Sequence, residues 1–322
     1  MSILEFENKL NKYRSMIDSS ISDVYNDGPI SLLEPINHVL KSSGKRLRPI
    51  LLMLVADIHN LHELALKPGI CIEMLHNFTL IHDDIMDKDT LRHGVQTVHV
   101  KWDDDTAILS GDAMLSIAMR ELVKIDDLPN KEKILEVFIN GLLAVCEGQA
   151  LDKEFEKNND VTLENYLDMI NKKTAHMIGM SSEIGSLILD LSLDESYHFK
   201  KFGKYIGLAY QIQDDLLEVF ADSNKMNKSL HSDFLLDKKT YPWILSISEN
   251  KNKMLEIKSA MHEDIDSGIL KYRKFLDESG LKEQIVHRIE EYINLAKIEL
   301  DNISVNTDEM IMFSDLILKR EY

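Results

Sequence analysis

Cysteine is nearly missing from this chain of 322 residues: there are only two, Cys71 and Cys146, each in an apolar run of helical spacing. That excludes a disulfide framework, and both read as small core residues in a reducing, cytoplasmic setting. Proline is scarce at six residues and glycine at thirteen. With abundant Leu, Ile, Lys, Glu and Met, their scarcity favours helix almost throughout. Positive charge is short as well: 37 Lys and Arg stand against 55 Asp and Glu, a formal net charge of −18. Nucleic acid needs a basic footprint and is excluded as a partner. A small anion is unwelcome too, unless metal ions mediate. The N-terminus has no basic segment leading into an apolar core, so no signal peptide is expected. The longest uninterrupted apolar runs, such as Ile50 to Ala56, are too short to span a bilayer. Strand-like alternation, low-complexity linkers and internal repeats are also missing, so one all-α domain over residues 1–322 is the economical reading.

What is present centres on the stretch from Glu73 to Asp87. Leu75, Phe78, Ile81, Ile85 and Met86 recur at helical spacing, and the run ends in Asp83, Asp84 and Asp87. Asp83 and Asp87 are one turn apart on one face, and Asp84 lies about 100° round. Carboxylates gathered at the end of an apolar helix repel one another and are costly to desolvate. They are tolerable in water or around a hard cation. A second set, Asp214, Asp215 and Glu218, sits at the same offsets in another apolar helical run, from Phe202 to Phe220. Two such sets facing one another would make an oxygen cage for several Mg²⁺ ions and, through them, a diphosphate. Other acidic groups serve as internal controls. Asp103-Asp104-Asp105 and Asp126-Asp127 have no apolar helix before them and read as a helix N-cap and a turn.

Along the chain, residues 1–25 read as an amphipathic helix broken at Asp27-Gly28-Pro29. A short helix is expected after Pro35, stopped by Gly44. Lys45, Arg46 and Arg48 then precede a helix opened by Pro49, forming a basic loop or an anion seat. Pro68-Gly69 is expected to open the helix that carries the first acidic set, with a polar turn at Leu91 to Gly94 after it. Helices are expected over 106–124 and 131–157, the latter placing Gln149 and Asp152 on one face. Thr162 or Asp160 caps the next helix, where Asn165 leaves the usual capping box incomplete. That helix carries Lys173-Thr174 and the small residues Gly179, Ser181, Ser182, Gly185 and Ser186, which call for close approach of another helix. A loop containing Lys228 follows about residue 221. Lys238 to Pro242 leads into further helix, and three amphipathic helices broken at Gly268 and Gly280 complete the chain.

In this order, Gly44-Lys45-Arg46-x-Arg48-Pro49, His76, Asp83-Asp84-x-x-Asp87, Arg92, Gln149, Lys173-Thr174, Gln211-x-x-Asp214-Asp215, Lys228 and Asp233 make the chain resemble the trans-isoprenyl diphosphate synthase, or polyprenyl synthetase, family over nearly its whole length. The resemblance implies an isoprenoid-synthase bundle of about ten core helices round a deep central cavity, in a homodimer. It also implies head-to-tail condensation of isopentenyl diphosphate with an allylic diphosphate. By that resemblance Asp83, Asp84, Asp87, Asp214, Asp215 and Glu218 hold about three Mg²⁺ per site, with Mn²⁺ as a possible substitute. Arg92, Lys173 and Lys228 contact the allylic diphosphate. Lys45, Arg48 and His76 seat isopentenyl diphosphate, and Thr174 and Gln211 lie near the allylic cation. Phe78 and Thr79 lie at the floor that sets product length. The lack of extra residues within the first motif is closer to geranylgeranyl (C20) than to bacterial farnesyl (C15) synthases.

Three positions depart from that family pattern. His93 stands where a second Arg usually contacts isopentenyl diphosphate, and a histidine is largely neutral near pH 7. Glu218 replaces the last Asp of the second motif, and Asn227 and His231 replace frequent glycines. Rival readings are a class I terpene cyclase, a non-catalytic partner subunit, and a di-iron bundle built on Glu73-x-x-His76 and Glu195-x-x-His198. A cyclase would lack the Gly44-to-Pro49 seat, and a non-catalytic partner would lose the acids.

Overall fold

Helices supply nearly all the regular structure of the residues described, which are 1–42, 44–158, 160–220 and 238–318 of a computed structural model. In chain order they are α1 (Ile3–Ile21), α2 (Ile30–Leu40), α3 (Leu47–Ala56), α4 (His62–Asp87), the single turn α5 (Val98–Lys101), α6 (Asp104–Val123), α7 (Lys131–Phe155), α8 (Leu163–Ile170), α9 (His176–Ile188) and α10 (Leu193–Phe220). After the undescribed segment come α11 (Tyr241–Glu249), α12 (Lys251–Glu263), α13 (Ile265–Glu278), α14 (Leu281–Leu300) and α15 (Asp308–Leu318). A π-turn, Asn171–Ala175, joins α8 to α9. A two-residue ribbon, β1 (Leu91–Arg92) against β2 (Val95–Gln96), is the only strand pairing among the described residues. The fold is all-α.

The centre is built from two helices that are buried on nearly every side. All of α3 from Pro49 to Ala56 is buried, as is α9 from Met177 to Ile188, and a helix buried all round belongs inside a bundle. The long helices α4 and α10 flank these two. α4 runs against α3 and α6, and α10 against α9 and α14. The small residues of α9 do what their spacing predicts. Ser182 Oγ donates to the Phe199 carbonyl of α10 at 2.7 Å, and a Cβ on Gly203 would come within 2.6 Å of the Ile178 carbonyl oxygen. A smaller apolar cluster of Val219, Trp243, Met254, Ile257, Tyr272, Leu276 and Leu281 ties the end of α10 to α11–α14.

Several expectations are corrected. Pro35 and Pro68 lie inside α2 and α4 rather than at their starts. Each is within the first two turns, so the lost hydrogen bond falls near an end that is already short of partners. Thr162 has its full capping box, because the Asn165 side chain accepts from the Thr162 N–H at 3.2 Å in place of the usual Glu or Gln. Four helices, not three, follow α11. Gly268 lies within α13, whose start is set by the Asp264 side chain accepting from Asp266 N and Ser267 N. Cys71 is buried, but Cys146 is exposed. Finally, α7 is long and apolar enough to cross a bilayer by composition. Scattered polar residues hid this from a search for unbroken runs. Its buried side packs Ile134, Val137, Phe138 and Val145 into the bundle, leaving Ile139, Leu143, Cys146 and Ala150 as an exposed stripe.

Candidate active site

The last turn of α4 presents Asp83, Asp84 and Asp87, and the helix stops at Lys88, whose φ of 56° turns the chain away. Each carboxylate has its own cationic or amide partners. Asp83 accepts from Gln149 Nε2 at 2.6 Å and lies 3.4 Å from Lys173 Nζ, which sits closer, at 2.6 Å, to Asp152. Asp84 accepts from Arg92 Nε at 2.5 Å. Asp87 lies between Lys238 at 2.7 Å and Lys153 at 3.2 Å. Asp84 and Asp87 are only 5% and 4% exposed. Burial pushes the Asp84 carboxyl up to about 7, against the pull of Arg92. Burial also opposes the charge on Lys173, but Asp83 and Asp152 outweigh it and hold that ammonium above its ordinary pKa.

Arg92 is aimed by the ribbon. His93 and Gly94 have φ of 51° and 79°, the left-handed pair that a two-residue type I′ hairpin needs. The polar turn read from the sequence is therefore a tight hairpin that returns Arg92 to the acids.

The second acidic set comes from the end of α10. Among the described residues, Asp215 accepts hydrogen bonds from the Tyr166 hydroxyl, the Tyr241 N–H at 2.9 Å and Gln211 Nε2 at 3.0 Å. Gln211 Oε1 in turn accepts from Thr174 Oγ1 at 2.9 Å. Asp214 lies within electrostatic reach of Arg48, and Glu218 is half-buried one turn on. The two sets share one neighbourhood. Lys173 meets Asp83 while the next residue, Thr174, reaches Gln211 and so Asp215. Lys238 meets Asp87 while Tyr241, three residues later, holds Asp215.

The basic segment divides. Arg46, left-handed at φ 52° and 5% exposed, pairs with Glu73 at 2.8 Å and Asp18 at 2.9 Å and donates to the Leu40 carbonyl at 3.0 Å. It is a structural clamp, so the three-cation seat read from the sequence keeps only Lys45 and Arg48. Lys45 is exposed, with its ammonium 5.9 Å from the Tyr210 ring centroid. The Arg48 Nε is buried and has no hydrogen-bond partner among the described residues. Burial draws that guanidinium below its ordinary pKa, with Glu73, Tyr210 and Asp214 opposing. His76 is pushed well below its usual value by burial and then by Arg48, Arg92, His93 and Arg46. It is a neutral imidazole in a cation-rich corner.

Phe78 is 8% exposed and meets His82 edge to face at 4.7 Å. Thr79 Oγ1 donates back to the His76 carbonyl at 2.7 Å. Lys228, Asn227, His231 and Asp233 lie outside the described residues. The sequence reading missed Lys153, Lys238, Tyr166 and Tyr241. Lys153 was within reach of it, since it lies one turn after Gln149 on the face already singled out.

The di-iron reading fails on geometry. Glu73 is taken by Arg46, Glu195 bonds Ser304 and Ser192, and His198 bonds Glu299. Among the described residues no three His, Cys, Asp or Glu side chains form a ready-made metal site, because cations stand between the carboxylates. The donor set fits a hard divalent cation all the same. All six are carboxylate oxygen donors, and Asp84 and Asp87 among them are buried, which suits the direct ligands of such an ion.

A helical bundle that brings two sets of carboxylates, interleaved with Lys and Arg, into one neighbourhood fits a metal-assisted enzyme for phosphorylated substrates. The chain belongs to the polyprenyl synthetase family, whose model matches residues 30–272, and it is a prenyltransferase. It is 31% identical to the short chain isoprenyl diphosphate synthase of Methanothermobacter thermautotrophicus, over 99% of this chain and 100% of that one. It is 37% identical to the geranylgeranyl diphosphate synthase of Sulfolobus acidocaldarius over 81% of this chain and 83% of that one. A crystal structure of a geranylgeranyl pyrophosphate synthase superposes with a TM-score of 0.90 at 33% identity, covering 97% of this chain and 99% of the other. Synthases of this family use a divalent metal.

Proposed function

We propose that the enzyme condenses isopentenyl diphosphate head to tail with an allylic diphosphate, giving a short trans-prenyl diphosphate, geranylgeranyl (C20) or farnesyl (C15). The observation that carries this reading is the presence of two separate cationic seats in a strongly acidic protein. One lies among the first acids, with Arg92, Lys173, Lys153 and Lys238. The other is formed by Lys45 and Arg48 beside neutral His76, where Arg48 Nε has no partner among the described residues. A condensation of two diphosphates needs two such seats. A cyclase needs one.

Asp83, Asp84, Asp87 and Asp214, with Asp215 and Glu218, would hold about three Mg²⁺, whose Lewis acidity supports the departing diphosphate. Arg92 and Lys173, with Lys228, bind that diphosphate as its charge grows on C–O cleavage. Gln211 and Thr174 turn oxygen dipoles toward the allylic carbon. Asp215 fixes which way the Gln211 amide faces, since a carboxylate accepts only from its NH₂. Lys45, Arg48 and His76 hold isopentenyl diphosphate so that its terminal alkene carbon attacks the allylic C1. That attack leaves the positive charge on C3 of isopentenyl diphosphate, and a proton from its C2 passes to the released diphosphate as the C2–C3 double bond forms. Apolar walls exclude the water that would quench the cation. The decisive assay uses labelled isopentenyl diphosphate with C5, C10 and C15 primers and chromatography of the dephosphorylated products. No elongated product from any primer refutes the reading.

Phe78 forms the floor below Asp83, next to Thr79. Phe78→Ala is expected to move the main product up by at least one C5 unit, and an unchanged product spectrum would remove Phe78 from that role. His93→Arg places a permanent charge beside His76 and Arg48. It should lower KM for isopentenyl diphosphate about tenfold, the worth of ~1.5 kcal/mol for one charge-assisted hydrogen bond. Steady-state kinetics would show an unchanged KM if His93 does not face that seat.

The whole chain acts as one domain, in the cytoplasm, as a homodimer. The exposed stripe of Ile139, Leu143, Cys146 and Ala150 on α7, with Ile108, Met119 and Val123 on α6, supports that assembly. Sedimentation should give a dimer that Leu143→Glu weakens. A monomeric wild type would show that this face has another use.

A further inference from the structure

The residue just before the first acidic set has no place in the chemistry above, yet its contacts are specific. His82 lies one turn after Phe78, on the side of α4 that faces α6. Its ring meets Phe78 edge to face at 4.7 Å. Its Nε2 lies 3.3 Å from the Ile108 carbonyl oxygen and 3.9 Å from Asp112 Oδ1. Between those two residues stands Gly111, where a Cβ would fall 2.4 Å from His82 Nε2 and 2.7 Å from Cδ2. Glycine inside a helix is destabilising relative to alanine, and here its missing side chain is the space the imidazole occupies. The ring is therefore gripped on both sides, by α6 through Gly111 and Ile108 and by Phe78 from its own helix.

We propose that His82 is a positioning residue for product length: braced in the notch at Gly111, it holds the Phe78 ring in the orientation that closes the floor. This rests on the reading of Phe78 as that floor. An edge-to-face partner restrains ring rotation, and a phenyl ring set free to swing leaves room for a longer chain.

The test is a cycle of four proteins: wild type, His82→Ala, Phe78→Ala and the double variant. Each is given labelled isopentenyl diphosphate and the C10 or C15 primer. The readout is the ratio of the next longer product to the wild-type main product, taken at equal conversion so that slower turnover does not count. His82→Ala should raise that ratio about fivefold, in line with the loss of one aromatic pair. It should add nothing in the Phe78→Ala background, where there is no ring left to hold. A ratio unmoved by His82→Ala overturns the proposal, and so does an equal rise in both backgrounds. If Phe78→Ala itself leaves the ratio unchanged, the floor assignment has failed instead. If His82→Ala does not fold, Gly111→Ala serves in its place. Its methyl displaces the imidazole from α6 while both rings remain, so the ratio should shift with Phe78 present and not without it. A ratio unmoved by Gly111→Ala likewise overturns the proposal.

Discussion

Asp83→Ala is expected to lower kcat/KM about a thousandfold, roughly 4 kcal/mol of lost transition-state stabilisation. The size follows from what Asp83 touches. It accepts from Gln149 at 2.6 Å and lies 3.4 Å from Lys173, so it directs the cation that the proposed mechanism sets against the leaving group. Without it, Lys173 is drawn wholly to Asp152, its closer partner at 2.6 Å, and the site loses an oxygen ligand at the same stroke. The fall should appear in kcat as well as in kcat/KM, because in the proposed mechanism the charge beside Asp83 develops as the C–O bond breaks. Raising Mg²⁺ should recover only part of the rate, since the Lys173 displacement persists. The fold should hold, because the side chain lies in the last turn of α4 among polar partners and its removal opens no apolar cavity. Asp105→Ala is the matched control. It deletes an exposed carboxylate from the first turn of α6 and should leave turnover unchanged. Full turnover by Asp83→Ala at saturating Mg²⁺ would remove the first motif from the mechanism.

The acidic sets were legible because carboxylates at the end of an apolar helix contradict the local pattern, and such contradictions mark function. The all-helical class was legible for the opposite reason: composition, spacing and small residues agreed. What sequence could not supply was pairing across the bundle. Nothing near Arg46 says that Glu73 and Asp18 will consume it while Arg48, two residues on, keeps its Nε without a partner among the described residues. Lys153 and Lys238 approach Asp87 from two distant segments, a meeting that only the folded bundle creates. The prolines misled for a local reason. Proline favours a first turn, which places Pro35 and Pro68 at helix starts, but one or two turns can precede it at the cost of a single hydrogen bond.

The second large effect is expected at a residue that touches no substrate. Gly148→Ala should destabilise the protein by about 2–3 kcal/mol and lower kcat at least tenfold. The π-turn Asn171–Ala175 carries Lys173 and Thr174 on adjacent residues and sends one toward α4 and the other toward α10. Such widened turns are marginal alone and recur at functional sites, so this one needs support from outside. Two glycines provide it. A Cβ on Gly148 of α7 would fall 2.3 Å from Lys173 N, and one on Gly207 of α10 would fall 2.4 Å from Ala175 Cα. Both obstacles are backbone, which cannot rotate away as a side chain would. The added methyl must therefore push the turn itself, and a shift of about 1 Å in a positioning group is enough to cost up to a hundredfold in rate. Gly280→Ala separates this from plain loss of stability. Its φ of 71° strains any side chain, yet nothing lies within 4 Å of the added carbon. It should lower Tm through roughly 1–2 kcal/mol of backbone strain and leave kcat intact. Thermal melts and turnover measured on the two variants together decide the matter. If Gly148→Ala melts early but turns over like wild type, the grip on the π-turn is structural only, and Lys173 and Thr174 are held by something else.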